Sequence, residues 1–250
     1  MEKRIVEKRS ARLAAARTSR VVRDELMALI LERGLAPGEL LPTEFELVED
    51  LGVSRNSVRE ALKALQALDI VEIRHGHGTY VGRLSLNPLA DGLAFRTLQR
   101  IGRDARAVSE LLETREALED GLIRRVAASI PDADIEALET VTAAMEAKAG
   151  RNEDFAEDDR QFHELLYRSL DNQIVVQLLR AFWDVFHRVN DRLGGEDPDL
   201  RETARRHRAI LAALRSRDVD GAQRAMTEHF RNIDARVALL EARGLGATTA

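Results

Sequence analysis

Apolar residues recur every three or four positions along most of this chain, the stripe that an amphipathic helix buries, so the pattern predicts a mainly α protein. Val21, Val22, Leu26, Leu29 and Ile30 form the first such stripe, which ends at the Gly34-Leu35-Ala36-Pro37-Gly38 break. Thr43 stands three residues before Glu46, a capping-box spacing that starts a second helix at Glu44, and Gly52 permits a tight turn after Leu51. Ser54 reads as the N-cap of a third helix, whose stripe runs Val58, Ala61, Leu62, Leu65, Leu68. Periodicity then shortens: Ile70, Val71 and Ile73 make a β-rich run, His75-Gly76-His77-Gly78 turns the chain, and Thr79, Tyr80 and Val81 bring it back.

Three helices followed by a two-stranded ribbon over residues 20–83 make a winged helix-turn-helix, an architecture that reads duplex DNA. The third helix leaves Arg55, Asn56, Arg59 and Lys63 outside its apolar stripe, and these are donors for phosphates and base edges. Arg55 and Asn56 occupy its first turn, the part of a recognition helix that enters the major groove. Arg55 and Arg59, one turn apart, repel by about a few tenths of a kcal/mol in a free helix, which points to a polyanion partner rather than to a merely solvated face. In the ribbon, Arg74, His75 and His77 can reach phosphate or the minor groove, and Gly76 allows close backbone approach. The His75-x-His77 pair makes a poor metal site, since no further Cys, Asp or His stands near it in sequence.

Residues 84–106 read as a connection with a helix opening at Asn87-Pro88, where proline suits the first turn. From Ala107 to about residue 240 the pattern is helical, broken at Pro131-Asp132, Gly150 to Asn152, Asp171-Asn172, Gly194 to Pro198 and Ser216 to Asp220. That predicts an all-α bundle of six helices, or seven with the Asn87 segment. A chain of 250 residues can bury a separate core in each half.

Composition adds three constraints. With no cysteine, disulfides, thiolate metal sites and cysteine nucleophiles are excluded. The N-terminus is charged and its longest apolar run, Leu26 to Leu31, is too short for a signal or a membrane span, so the expectation is a cytoplasmic protein without a membrane partner. Net charge is −5, yet residues 1–23 hold eight basic side chains against two acidic ones, and local charge is what a duplex senses. The extension over 1–19 is either an arm that tracks DNA or a solvated tail.

Three stripes in the second half carry polar residues where apolar ones are required. One runs Phe155, Asp159, Phe162, His163, Leu166, Leu170; the next Thr203, His207, Ile210, Leu211, Leu214; the last Ala222, Met226, His229, Ile233, Val237, Leu240. One carboxylate and three imidazoles therefore point into one core, with Asp159 and His163 a turn apart on a shared face. Each buried polar group left unsatisfied costs about 1 to 3 kcal/mol, and a carboxylate more. A divalent cation satisfies all four, and an all-nitrogen-and-oxygen set suits zinc, nickel, manganese or iron better than calcium, with zinc the first choice. A metalloenzyme would need a general base, but no H-E-x-x-H occurs, and Glu164 and Glu228 sit about 100° around their helices from the ligands. A purely structural metal is the remaining alternative.

The segment Leu41 to Glu44, Gly52 to Arg55, Val58 to Leu62 and Gly76 to Gly78 resembles the LP-S/T-E, gVSR, VREAL and G-x-G pattern of the GntR superfamily of bacterial transcription regulators. The resemblance implies that Arg55, Arg59 and Gly76 contact a palindromic operator in a dimer; Thr43, Ser54, Asn56, Ser57, His75 and His77 complete the expected DNA-facing set. Where that family often carries an arginine after the glutamate, this chain has Phe45. Asp159-x-x-x-His163 with His207 and His229 resembles the metal-binding branch of the FadR-like C-terminal domain known as FCD. That likeness implies a ligand-responsive regulator, usually a repressor and not an enzyme, whose effector is a small organic acid chelating the metal; the acyl-CoA-binding branch lacks this histidine set. Arg115, in a helix otherwise apolar at Leu111, Leu112, Leu118 and Leu122, is either a bidentate clamp on that acid or the partner of Glu116 or Glu119. His187, beside Phe182, Trp183 and Phe186, reads as a core or surface histidine.

Overall fold

The computed structural model describes residues 20–101, 104, 106–193, 199–231 and 233. The basic extension over 1–19, the break from Gly194 to Pro198 and the stripe positions Val237 and Leu240 lie outside the described residues. The chain divides into two units between Pro88 and Leu89.

In the first unit, α1 (20–32) is followed by α2 (Glu44–Leu51) and α3 (Arg55–Gln66). Thr43 accepts from the Glu46 backbone while the Glu46 carboxylate accepts from the Thr43 N–H at 2.7 Å, so the capping box forms as read. Gly52 closes α2 in the left-handed region, with φ 61°, and Ser54 Oγ caps α3 by accepting from Ser57 N at 3.1 Å. Val22, Leu26, Leu29 and Ile30 of α1 close a core with Leu47, Val58, Ala61, Leu62, Leu65, Val71 and Val81. Two stripe assignments fail. Val21 is exposed because it sits about 100° around α1 from Val22, and Leu68 is exposed because α3 ends at Gln66 and the chain turns away at Asp69, φ 58°.

The wing is β1 (Val71–Arg74) antiparallel to β2 (Gly78–Val81), with Val71 opposite Val81 and Arg74 opposite Gly78. Residues before α2 widen it, since Leu41 N donates to Thr79 O at 2.8 Å and Val81 N donates to Glu39 O at 2.8 Å. At its base Gly82 has no room for a side chain, as a Cβ there would meet the Asp69 carbonyl oxygen at 2.3 Å.

The second unit is all helical among the described residues: α4 (Asn87–Arg100), α5 (Ser109–Ser129), α6 (Asp132–Gly150), α7 (Ala156–Arg168), α8 (Gln173–Leu193), α9 (Leu200–Arg215) and α10 (219–231). This is the six-helix bundle plus the Asn87 helix. Helix α6 packs on α7 and α9, α7 on α8, and α5 on α7, α8 and α9, so α5 and α7 line the middle of the bundle. Asp120 of α5 binds α10 through Gln223 Nε2 at 2.8 Å and Thr227 Oγ1 at 3.2 Å. Leu112, Ile123, Leu138, Met145, Phe162, Leu166, Val185, Ile210, Leu214 and Met226 fill the interior. Among the described residues no helix is long and apolar enough to cross a membrane.

Candidate functional site

Four helix turns from three helices meet inside the second unit. Asp159 and His163 come from α7, His207 from α9 and His229 from α10, and one ligand atom from each lies within 4.8 Å of every other. Each residue occupies an inward stripe position, which is why the fold delivers it there. The three histidines are buried, and Asp159 is nearly so.

Two of the rings, those of His163 and His207, are held from behind. His163 Nδ1 lies 2.9 Å from Glu119 Oε2, and His207 Nδ1 lies 2.9 Å from the Thr203 carbonyl oxygen. Both partners accept, so each ring donates from Nδ1 and its Nε2 is the nitrogen left without a partner. The Nε2 atoms of His163, His207 and His229 are buried with no hydrogen-bond partner. His207 Nε2 does approach Asp159 Oδ1 to 2.7 Å, but off the line of an N–H bond, so the contact is a crowding of donors rather than a formed bond. His163 Nε2 stands 3.7 Å from the same oxygen. The other Asp159 oxygen accepts from Trp183 Nε1 at 3.1 Å, which leaves Oδ1 turned toward the rings.

Protonation suits a cation. Burial, followed by the neighbouring His207 and His163, pushes His229 well below the ordinary 6.5, so its imidazole is neutral at pH 7. Burial works to raise the Asp159 carboxyl, but the His207 imidazole 2.7 Å away, and after it His163 and His229, outweigh burial and hold the group well below the ordinary carboxylate range. Two donors on one ion bound at about 2.1 Å can stand about 4.2 Å apart at most, so an arrangement within 4.8 Å lies close to what a metal requires. Three buried nitrogens without a partner, clustered with a carboxylate, are a donor set that could hold a cation.

Arg115 resolves toward the core network. Its Nε donates to Glu119 Oε1 at 2.6 Å with both groups buried, so the ion pair is with Glu119. Its two terminal nitrogens make no hydrogen bond among the described residues, and its guanidinium stands 5.5 Å from the Phe230 ring centre. Tyr167 also donates to Glu119 Oε2, at 2.9 Å. Burial would raise the Glu119 carboxyl, yet Arg115 and then His163 outweigh it and keep the group ionised. Glu119, Tyr167 and Trp183 were not legible as site residues, because a polar position on a stripe does not say which of several buried groups it faces. His187 stands apart, stacked on Trp183 with ring centres 3.5 Å apart. Glu164 pairs with Arg180 at 2.8 Å and Glu228 with Arg206 at 3.2 Å, so neither faces the cluster. Beside His163 a pocket of about 10 Å³ is lined by Arg160, Glu164, Arg180 and Trp183. A groove of about 780 Å³ runs between α5 and α10 and is lined by none of the four clustered residues.

On the first unit, α3 presents Arg55, Asn56 and Arg59 on its exposed side. Arg59 Nε bonds Glu44 Oε2 at 2.7 Å, so the repulsion expected between Arg55 and Arg59 is offset inside the protein and does not by itself require a polyanion. Exposed pairs of this kind contribute at most about 1 kcal/mol, little enough for a phosphate to compete. Thr43, Ser54 and Ser57 have their hydroxyls engaged in the caps. Arg74 is held by Glu72 at 2.9 Å and lies 4.1 Å over the Tyr80 ring, which ties it to the wing's own surface. His75, Gly76 and His77 form the exposed tip, with Gly76 at φ 79°.

Known proteins match both units. Residues 18–81 match the bacterial regulatory proteins of the gntR family, and residues 110–232 match the FCD domain. The HTH-type transcriptional repressor NanR of Cronobacter sakazakii is 30% identical over 227 residues, covering 89% of this chain and 86% of that protein. The galactonate operon transcriptional repressor of Escherichia coli K12 is 28% identical over 190 residues, 76% of this chain and 83% of that one. A GntR protein of Streptococcus agalactiae superposes with a TM-score of 0.66 at 30% identity, over 86% of this chain and 98% of the other. These relatives are transcription regulators and not enzymes. A helix-turn-helix with a wing, joined to a helical FCD domain that buries a His/Asp cluster, places this chain in the GntR family of bacterial transcription regulators, with the FadR-like architecture.

Proposed function

We propose that this chain is a cytoplasmic repressor that binds a palindromic operator as a homodimer and releases it when a small organic acid binds at a divalent metal in the helical unit. The three orphaned Nε2 atoms facing Asp159 Oδ1 carry this reading. Asp159, His163, His207 and His229 would hold the ion, zinc ahead of nickel, manganese or iron, since neutral imidazoles and one carboxylate are the donors present. The ion would serve as the point where carboxylate and hydroxyl oxygens of the acid attach. Arg115 would clamp the acid, as its terminal nitrogens are uncommitted while its Nε is anchored to Glu119. One relative represses a galactonate operon, and galactonate belongs to that chemical class. On the DNA side, Arg55, Asn56 and Arg59 would read the major groove, with Thr43, Ser54, Ser57, His75, Gly76 and His77 on backbone and minor groove. A coupling of about 1 to 3 kcal/mol between acid and operator would suffice for release.

The test uses a duplex selected by the protein from a random pool, a library of hydroxy acids and sugar acids, and fluorescence anisotropy. An inverted-repeat duplex, released by one acid from the zinc-loaded protein but retained by His163→Ala, is expected. Equal release from both, or selection of no repeat, would contradict it. The tight space beside His163, about 10 Å³, favours a second reading in which the metal is structural; metal-dependent stabilisation with no acid releasing DNA supports that one.

A further inference from the structure

We infer that Glu119 is a positioning residue that fixes His163 as a metal ligand and ties it to Arg115, so that the ion and the arginine share one carboxylate. The inference rests on the metal reading of the cluster. It starts from geometry: Glu119 lies on α5, a helix that supplies none of the four clustered donors, and is fully buried. Both its oxygens are committed, Oε1 to Arg115 Nε at 2.6 Å and Oε2 to His163 Nδ1 and Tyr167 Oη at 2.9 Å each. A carboxylate can only accept here, so the His163 proton is held on Nδ1 and the lone pair on Nε2 is left for the ion. Oriented from behind by an anion, the imidazole is also a stronger donor to a cation. Arg115 supplies the charge that lets this anion exist in the core. Any ligand that draws Arg115 away from Oε1 therefore acts on the same group that holds His163.

Glu119→Gln keeps the shape but offers an amide whose N–H can bond Nδ1 and move the imidazole proton to Nε2. Zinc affinity is measured by competition with a chromogenic chelator in the full-length protein, for wild type, Glu119→Gln and His163→Ala. Since Glu119→Gln leaves Arg115 without its counter-charge, Arg115→Met/Glu119→Gln is the companion that removes both charges. Affinity should fall about 10- to 100-fold in both Gln variants with stoichiometry retained, and much further in His163→Ala. Nitrogen-15 spectra of the metal-free wild type should show His163 protonated on Nδ1, a signature that a purely space-filling role for Glu119 would not set. Binding within about twofold of wild type in both Gln variants, or an Nε2-protonated His163, overturns the inference while leaving the metal site standing. Equal zinc binding by wild type and His163→Ala removes the metal reading and this inference with it.

Discussion

The two units place their chemistry oppositely. In the DNA-binding unit the side chains proposed to meet DNA are exposed: Arg55 and Asn56 stand off α3, and His75 and His77 off a wing tip, above a core made only of aliphatic residues. In the helical unit the side chains proposed for metal and effector belong to the core, where His163, His207, His229, Arg115 and Glu119 are buried among Phe162, Tyr167 and Phe230. An exposed functional residue can be exchanged without touching the fold. A buried one is bound to it, because each partner left behind is a desolvated charge or an orphaned donor. The DNA face should therefore tolerate change that the effector unit does not.

Substitution should separate the two by size of effect. Arg115→Met leaves Glu119 ionised in the core without its cation and should cost about 3 to 5 kcal/mol in urea unfolding. A loss below about 1 kcal/mol would mean that the pair is not buried as described. Next, Arg55→Ala should weaken operator binding by about 1 to 3 kcal/mol in anisotropy titrations while changing stability by less than about 0.5 kcal/mol. Unaltered DNA affinity would remove Arg55 from the reading face. Smallest is Ser54→Ala, whose lost N-cap should lower stability by about 1 kcal/mol. If instead stability holds and only DNA binding falls, Ser54 acts as a contact and its cap is redundant.

How much of this was readable in the sequence follows the same division. The Thr43 capping box, the Ser54 N-cap, the left-handed Gly52 and the ribbon after Asp69 are set by residues a few positions apart, so local rules located α2, α3 and the wing. Phe45, exposed on the first turn of α2, was equally visible as a departure from the family pattern, for the same local reason. In the bundle, stripe periodicity brought Asp159, His163, His207 and His229 to one interior, since a polar residue on an apolar stripe must be satisfied. What periodicity could not give was the layer behind them. By spacing, Glu119 and Glu116 are equally available as ion-pair partners of Arg115, and neither position points to a histidine on another helix. Only the packing of α5 against α7 shows that the second oxygen of Glu119 holds His163. The fates of Val21 and Leu68 turn on about 100° of helix rotation and on where α3 stops, details that a stripe drawn from sequence resolves poorly.

The metal content of the purified protein tests the central claim most directly. Elemental analysis after dialysis against trace zinc should find about one divalent ion per chain in the wild type and close to none in His207→Ala, whose circular dichroism remains helical. The same metal content in both proteins would contradict the account, since His207 Nε2 is one of the three nitrogens on which the site is built.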